Sequence, residues 1–140
     1  MGVLNLIEIF SILTIHFISD FVLQTDKQAK GKSKNWGDLL SHTITYSLCF
    51  GAMAYCISFA YLVIMYFFVT KQTILSVNYH MYWFIPITFI CHTITDYFTS
   101  RLNSKLWSQG KVHEFFVSVG FDQLLHYIQL FLTYYLLKSI

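Results

Sequence analysis

The sequence is poor in charge and in proline. Charged residues make up 11% of the 140 residues, whereas soluble domains carry roughly 25%. A single proline is present, and hydrophobic residues account for 56% of the chain. This composition excludes a charge-covered soluble domain and predicts an integral membrane protein. The net charge of +2 is too small and too localised to indicate a nucleic-acid partner.

Cysteine is scarce as well. The three cysteines, Cys49, Cys56 and Cys91, are odd in number and show no C-x-x-C spacing. This pattern argues against a disulfide framework and against a thiolate metal site. All three lie in apolar runs, so we predict that they are buried, reduced thiols.

Long apolar runs dominate the chain instead. Four of them approach or exceed the roughly 20 residues that cross a bilayer, at 3–24, 39–69, 79–100 and 114–137. The first has no preceding basic residues and no small-residue cleavage site, which favours a retained helix over a signal peptide. We therefore predict an all-α, single-domain bundle of four transmembrane helices. The longest run should tilt, kink near Gly51 or leave the membrane at one end, and Gly51 should allow a neighbouring helix to approach closely.

The basic residues predict the orientation. The first and third connections hold seven of them, whereas the opposite side holds Lys71 and Lys138. The positive-inside bias then places these two connections in the cytoplasm and both termini outside. We expect a multi-pass protein of the inner (cytoplasmic) membrane. The first connection, DKQAKGKSK at 26–34, is interpreted as a solvated segment that faces lipid headgroups.

Seven histidines and aspartates interrupt the apolar runs, all in the half that faces the cytoplasm. They are His16, Asp20, His42, His92, Asp96, Asp122 and His126. Such residues are costly inside a membrane, so they are expected to face the bundle interior and to mark a functional site. Scattered polar substitutions would not be expected to share one leaflet.

The spacing of these residues strengthens the interpretation. Among the seven singled-out residues, three pairs are separated by four residues, which places each pair on one helix face; they are His16/Asp20, His92/Asp96 and Asp122/His126. Random placement of the five aspartates and six histidines would give about 0.4 such pairs. In the first span the polar side chains share half of the helical wheel. The other half is expected to face lipid or packed neighbours and contains Leu6, Ile7, Phe10, Phe17 and Phe21.

Imidazole and carboxylate are the ligands of zinc, manganese and iron, and helical bundles build metal sites by projecting them from facing helices. We predict a divalent metal centre, with zinc favoured and manganese or iron as alternatives. The first ligand set would comprise His16, Asp20, His92 and Asp96. The residues that complete this set, or bind a second ion, would be His42, Asp122 and His126. One of the aspartates (Asp20, Asp96 or Asp122) would act as a catalytic general base.

The same residues carry a family resemblance. The segments HFISDFVLQ at 16–24, HTITD at 92–96 and FDQLLH at 121–126, with His42 after a lysine-bearing connection, resemble small bacterial and phage membrane proteins grouped as domain of unknown function 3307. The resemblance covers about residues 12 to 130. A more distant likeness is to bacterial inner-membrane proteins labelled metal-dependent hydrolases. The resemblance implies a polytopic membrane fold with a shared polar centre.

The leading functional hypothesis is metal-assisted hydrolysis of a membrane-associated substrate such as a lipid phosphate. Two alternatives stay open. In the first, the buried groups relay protons or ions. In the second, they form a polar packing core in a non-enzymatic protein that binds a membrane partner. The expected partners are membrane lipids, a second copy of the chain or another membrane protein, and no nucleic acid.

Overall fold

The computed structural model describes residues 5–68 and 82–139, which form helices and short connections without a strand. The elements are α1 (Leu6–Phe17) with a π-helical continuation (Ile18–Val22), α2 (Asp26–Gly31), α3 (Trp36–Phe68), α4 (Phe84–Ser108) and α5 (Val112–Ser139). The all-α class is thereby confirmed. Parts of the predicted spans lie outside the described residues, namely 3–4, 69 and 79–81, as does Lys71.

The four long helices pack as a closed ring. Helix α1 contacts α3 and α5, α3 contacts α4, and α4 contacts α5, whereas neither diagonal pair comes into backbone contact within the described ranges. The α4–α5 connection is short because Gly110 ends α4 in the left-handed conformation, at φ 69°. The Lys111 amide then donates to the Leu106 carbonyl at 3.1 Å, which closes a Schellman motif. This turn makes α4 and α5 antiparallel neighbours around one interior.

The first predicted span is not a uniform α-helix. Asn5 caps α1, because its side chain accepts from the Glu8 amide at 2.9 Å while the Glu8 carboxylate accepts from the Asn5 amide at 3.0 Å. After Phe17 the backbone widens into the π-helical segment, which contains Asp20. A π turn adds one residue and so rotates the following side chains by about 100° relative to an uninterrupted α-helix. The helical wheel of a plain α-helix could not anticipate that rotation.

Apolar side chains cover the outside of the bundle. On α1 the predicted outer face is exposed, as shown by Leu6, Ile7, Phe10, Phe17 and Phe21. Along α5 the buried positions recur every three or four residues and include Ser118, Asp122, His126, Leu130, Thr133 and Leu137. Among the described residues, buried polar side chains outnumber buried hydrophobic ones. This distribution is the reverse of that in a water-soluble bundle.

One described helix, α5, is long and apolar enough to cross a membrane by the criteria of length and composition. The prediction for the cysteines is half right. All three are free thiols, but Cys56 is exposed and the other two are half-buried. They lie toward the apolar exterior, where a thiol needs no polar partner.

Gly51 has the packing role that the sequence predicts. A methyl group built on Gly51 would lie 2.5 Å from Cδ1 of Ile85 on α4. The missing side chain therefore allows α3 and α4 to approach closely. Nearby, the rings of Phe50 and Phe84 stack with centroids 5.2 Å apart. This apolar layer adjoins the polar layer of the interior, because Phe50 and Tyr46 belong to the same buried cluster.

Candidate metal centre

All seven histidines and aspartates singled out in the sequence are buried and meet inside the ring. Helix α1 and its π-helical segment supply His16 and Asp20, α3 supplies His42, α4 supplies His92 and Asp96, and α5 supplies Asp122 and His126. The helical period explains this convergence, since each i, i+4 pair points one face of its helix inward. The remaining question is which atoms meet.

Three of these side chains form a compact triangle. His42 Nε2 lies 3.1 Å from Asp20 Oδ1 and 3.2 Å from His92 Nε2. The third edge, from His92 Nε2 to Asp20 Oδ1, is 3.6 Å. Ligand atoms of a tetrahedral zinc ion, at 2.0–2.1 Å from the metal, are about 3.3–3.4 Å apart. The edges of the triangle are therefore close to the separations expected for three ligands of one zinc ion.

A second group of potential ligands shares His92 with the triangle and adds Asp96 and His126. His126 Nε2 lies 3.7 Å from Asp96 Oδ1. The other ring nitrogen, Nδ1, donates to the main-chain carbonyl of Asp122 at 2.8 Å. This bond places the proton on Nδ1 and leaves the Nε2 lone pair free to bind a cation.

Several atoms of the centre have no hydrogen bond of suitable geometry among the described residues. They include Asp20 Oδ1, His92 Nδ1 and His126 Nε2, all of which are buried. Buried polar groups normally have a partner, because desolvation without one is costly. Asp20 Oδ1 and His126 Nε2 are candidate ligand atoms, so a cation would satisfy both. His92 Nδ1 does not fit this explanation, and the Tyr46 ring stacks over that imidazole at 3.9 Å instead.

His16 and Asp122 lie at the edge of the centre and are held by other side chains. The Tyr46 hydroxyl lies 2.8 Å from His16 Nδ1, and Gln123 Oε1 lies 2.9 Å from His16 Nε2. The Gln123 amide nitrogen faces Asp122 Oδ2 at 3.1 Å, which fixes its carbonyl toward His16. His16 Nε2 must then carry the proton, since an amide oxygen only accepts. Asp122 Oδ1 accepts from Thr99 at 2.6 Å.

Lys32 is the residue of this centre that sequence reasoning missed. The interpretation of residues 26–34 as a solvated connection is wrong for this side chain, whose ammonium donates to Asp96 Oδ2 at 2.9 Å and is only 18% exposed. Burial opposes its charge, but the carboxylates of Asp96 and Asp20 outweigh that cost and raise the pKa of Lys32. No signal in the sequence separates it from Lys27, Lys30 and Lys34, which are exposed.

Helix α2 holds Lys32 in place. Thr25 and Gln28 form a capping box at its start, and Gln28 Nε2 also donates to Ser41 Oγ on α3 at 3.1 Å. Gly31 lies against the Asp38 side chain so closely that an added methyl group would overlap it. The segment 25–32 is therefore fastened to α3, and through Lys32 it reaches Asp96 on α4; we call it the strap.

The fold and the site together define a helical bundle protein with a buried His/Asp centre. The chain belongs to the family of proteins of unknown function DUF3307, whose profile matches residues 9–140. No curated protein and no solved structure shows a significant match to the chain. The family assignment confirms the resemblance carried by the His and Asp segments. The family description names no activity, so the function is argued from the site.

Proposed function

We propose that this chain is a multi-pass protein of the inner membrane whose His/Asp centre binds a divalent cation, zinc in preference to manganese or iron. In this proposal the centre hydrolyses a membrane-associated substrate such as a lipid phosphate. The observation that carries the proposal is the triangle of Asp20, His42 and His92, whose edges of 3.1–3.6 Å suit three ligands of one tetrahedral ion.

The membrane assignment is supported by where the polar groups lie. Apolar side chains face outward on the described helices, whereas serine, threonine, histidine and aspartate fill the interior. In lipid, polar groups are stabilised only by facing one another. Each of the four predicted spans overlaps one long helix, although α4 ends at Ser108, beyond the predicted end at residue 100, and the lysine-rich strap lies at one end of the bundle. These features favour four spans with the strap in the cytoplasm and both termini outside.

The role proposed for each histidine and aspartate depends on whether other side chains already occupy its ring nitrogens or carboxylate oxygens. Asp20, His42 and His92 would hold the ion, with His42 in the place that the sequence prediction gave to His16. His16 would act as a positioning residue, because Tyr46 and Gln123 occupy both of its ring nitrogens. A bound divalent ion would acidify water and polarise a substrate oxygen.

Asp96 lies next to the triangle, with Oδ2 3.2 Å from His42 Nε2 and 3.6 Å from His92 Nε2. It would serve as the general base, or bind a second ion together with His126. Asp122 is the weaker candidate for the base, because both of its oxygens accept hydrogen bonds, from Thr99 and Gln123, whereas Asp96 accepts from Lys32 through Oδ2 alone.

A second candidate function is a metal-free polar core in a protein that binds a membrane partner or its own copies. The observation that favours it is the ion pair between Lys32 and Asp96, at 2.9 Å. An ammonium group already neutralises one carboxylate of the centre there, which lowers the need for a metal ion.

The test is elemental analysis of the full chain, purified in detergent without chelators. We expect about one zinc, manganese or iron per chain in the wild type, and its loss in the Asp20→Asn/His42→Gln variant. His16→Gln is the matched control: it removes a buried histidine of the same layer and should keep the metal. Wild-type protein without metal, even after incubation with zinc, would overturn the metal centre and favour the polar core. Retained metal would justify assays of phosphate release from phospholipids and isoprenoid phosphates.

A further inference from the structure

Lys32 connects the outside of the bundle with the candidate metal centre. Its ammonium donates to Asp96 Oδ2 at 2.9 Å, and the same oxygen lies 3.2 Å from His42 Nε2. The Lys32 ammonium is thus linked through Asp96 Oδ2 to His42, a proposed ligand of the ion. The side chain is 18% exposed, so it also borders the surface at the strap.

We propose that Lys32 binds a phosphate group beside the ion, either that of a phosphate ester, which would be the substrate, or that of the free phosphate which hydrolysis of the ester releases. This inference rests on the proposed function. An ammonium group has three N–H donors. One of them faces Asp96, which leaves donors for an incoming anion.

The electrostatics of the site favour an anion at this position. A divalent ion in the Asp20, His42 and His92 triangle and the Lys32 ammonium would repel each other, and Asp96 Oδ2, which lies between them, would offset part of that repulsion. An anionic substrate oxygen that contacts both the ion and the ammonium would gain from both charges. Phosphate suits this arrangement, since its oxygens coordinate a metal and accept from lysine at the same time.

The strap adds two features that fit this role. Its capping box, the Gln28–Ser41 bond and the tight packing of Gly31 hold Lys32 at one position, so little side-chain or loop freedom is lost on binding. Lys34 is also exposed, two positions further along the chain, whereas Lys27 and Lys30 lie 3.9 Å and 3.5 Å from the carboxylates of Asp38 and Asp26. The charge of Lys34 would raise the local concentration of anions at this end of the bundle.

The experiment is titration of inorganic phosphate into zinc-loaded full chain, freed of unbound ion, for wild type, K32Q, K32R and K30Q. We expect K32Q to weaken phosphate binding by at least about tenfold, while K32R stays within about threefold because it keeps the charge. K30Q is the matched control, since Lys30 lies on the same strap but is exposed. Equal phosphate affinity of K32Q and wild type would overturn the inference. Samples are compared only if they elute as folded protein, and K32M replaces K32Q if K32Q does not.

Zinc content measured on the same samples separates the two proposals. Wild type with zinc and an unchanged K32Q affinity overturns only the role of Lys32. Wild type that never holds zinc overturns the proposed function and this inference with it. Loss of zinc in K32Q also overturns the inference, because Lys32 would then support the ion site itself.

The source of the phosphate is distinguished with dioctanoyl phosphatidic acid and dioctanoylglycerol in the same detergent. If phosphatidic acid binds more tightly than inorganic phosphate, the site takes the phosphate of a lipid headgroup. If the two bind equally, the site takes a free phosphate group. Both results support the inference if K32Q weakens them. Equal binding of phosphatidic acid and dioctanoylglycerol would show that the phosphate is not recognised and would overturn it.

Discussion

The charged side chains at the two ends of the bundle differ in how completely they are hydrogen-bonded. At the end where the chain begins, Glu8 Oε1 accepts from the Tyr134 hydroxyl at 3.0 Å and from Lys138 Nζ at 2.5 Å. Its other oxygen accepts from the Asn5 amide. Both oxygens are therefore satisfied, and the bonds join α1 to α5. We call this group the Glu8 cluster.

The His/Asp centre is crowded but incompletely paired. Asp20 Oδ1 and His126 Nε2 have neighbours within 4 Å but no hydrogen bond of suitable geometry. A network in which every hydrogen-bonding atom has a partner, such as the Glu8 cluster, can only hold helices together. A network with unpaired atoms can also bind another group, which is the physical difference between a packing contact and a candidate binding site.

Removal of the proposed metal ion should have the largest effect on the stability of the His/Asp centre relative to the Glu8 cluster. We expect a strong chelator to lower the Tm of the wild type by at least about 5 °C, because an ion bound only by the folded protein stabilises it. Differential scanning fluorimetry in detergent would measure the shift. The Asp20→Asn/His42→Gln variant should show no shift, whereas Glu8→Gln should keep it. An equal shift in the double variant would place the ion elsewhere.

Loss of Gln123 should have an intermediate effect. Gln123→Ala leaves the N–H of His16 and an oxygen of Asp122 without their partners. Each unpaired buried group costs about 1–3 kcal/mol, so we expect a Tm several degrees lower with metal content retained. Gln129→Ala is the control, since its amide makes only a 3.4 Å bond to the Thr88 carbonyl. Equal losses for the two glutamines would indicate that the Gln123 network adds no stability.

Neutralising Glu8 should have the smallest effect. Glu8→Gln keeps the capping box with Asn5 but removes the charge that faces Lys138. Partly exposed ion pairs contribute about 0.2–1 kcal/mol, so we expect a Tm drop of only a few degrees, reduced further in high salt. Thermal unfolding at two salt concentrations would measure it. A change in metal content in this variant would contradict the separation of the two ends.

Most of the helical architecture could be predicted from the sequence. The long apolar runs correspond to α1, α3, α4 and α5, because apolar length and the scarcity of proline leave few alternatives to long helices. The π-helical segment and α2 could not be predicted. The first lies within an apolar run that reads as one continuous helix, and the second is a single short helix stabilised by contacts such as the Gln28–Ser41 bond.

The histidines and aspartates of the site were also predictable, but Lys32 and the arrangement of the side chains were not. The i, i+4 spacing and the shared depth singled out the seven buried histidines and aspartates. The sequence prediction then placed His16 in the first ligand set, whereas the structure surrounds its ring nitrogens with Tyr46 and Gln123. Partners separated by 30 and 107 positions cannot be read from the periodicity of one helix.

The sequence by itself determined that the seven histidines and aspartates lie inside, because the 3.6-residue period and the scarcity of charge leave one polar face per helix. Only the tertiary structure decided which inward atoms meet. The rotation and height of each helix in the ring bring His42 between Asp20 and Asp96, and the packing of the strap carries Lys32 to Asp96. Those rotations depend on side-chain packing between helices, which is a property of the assembled bundle.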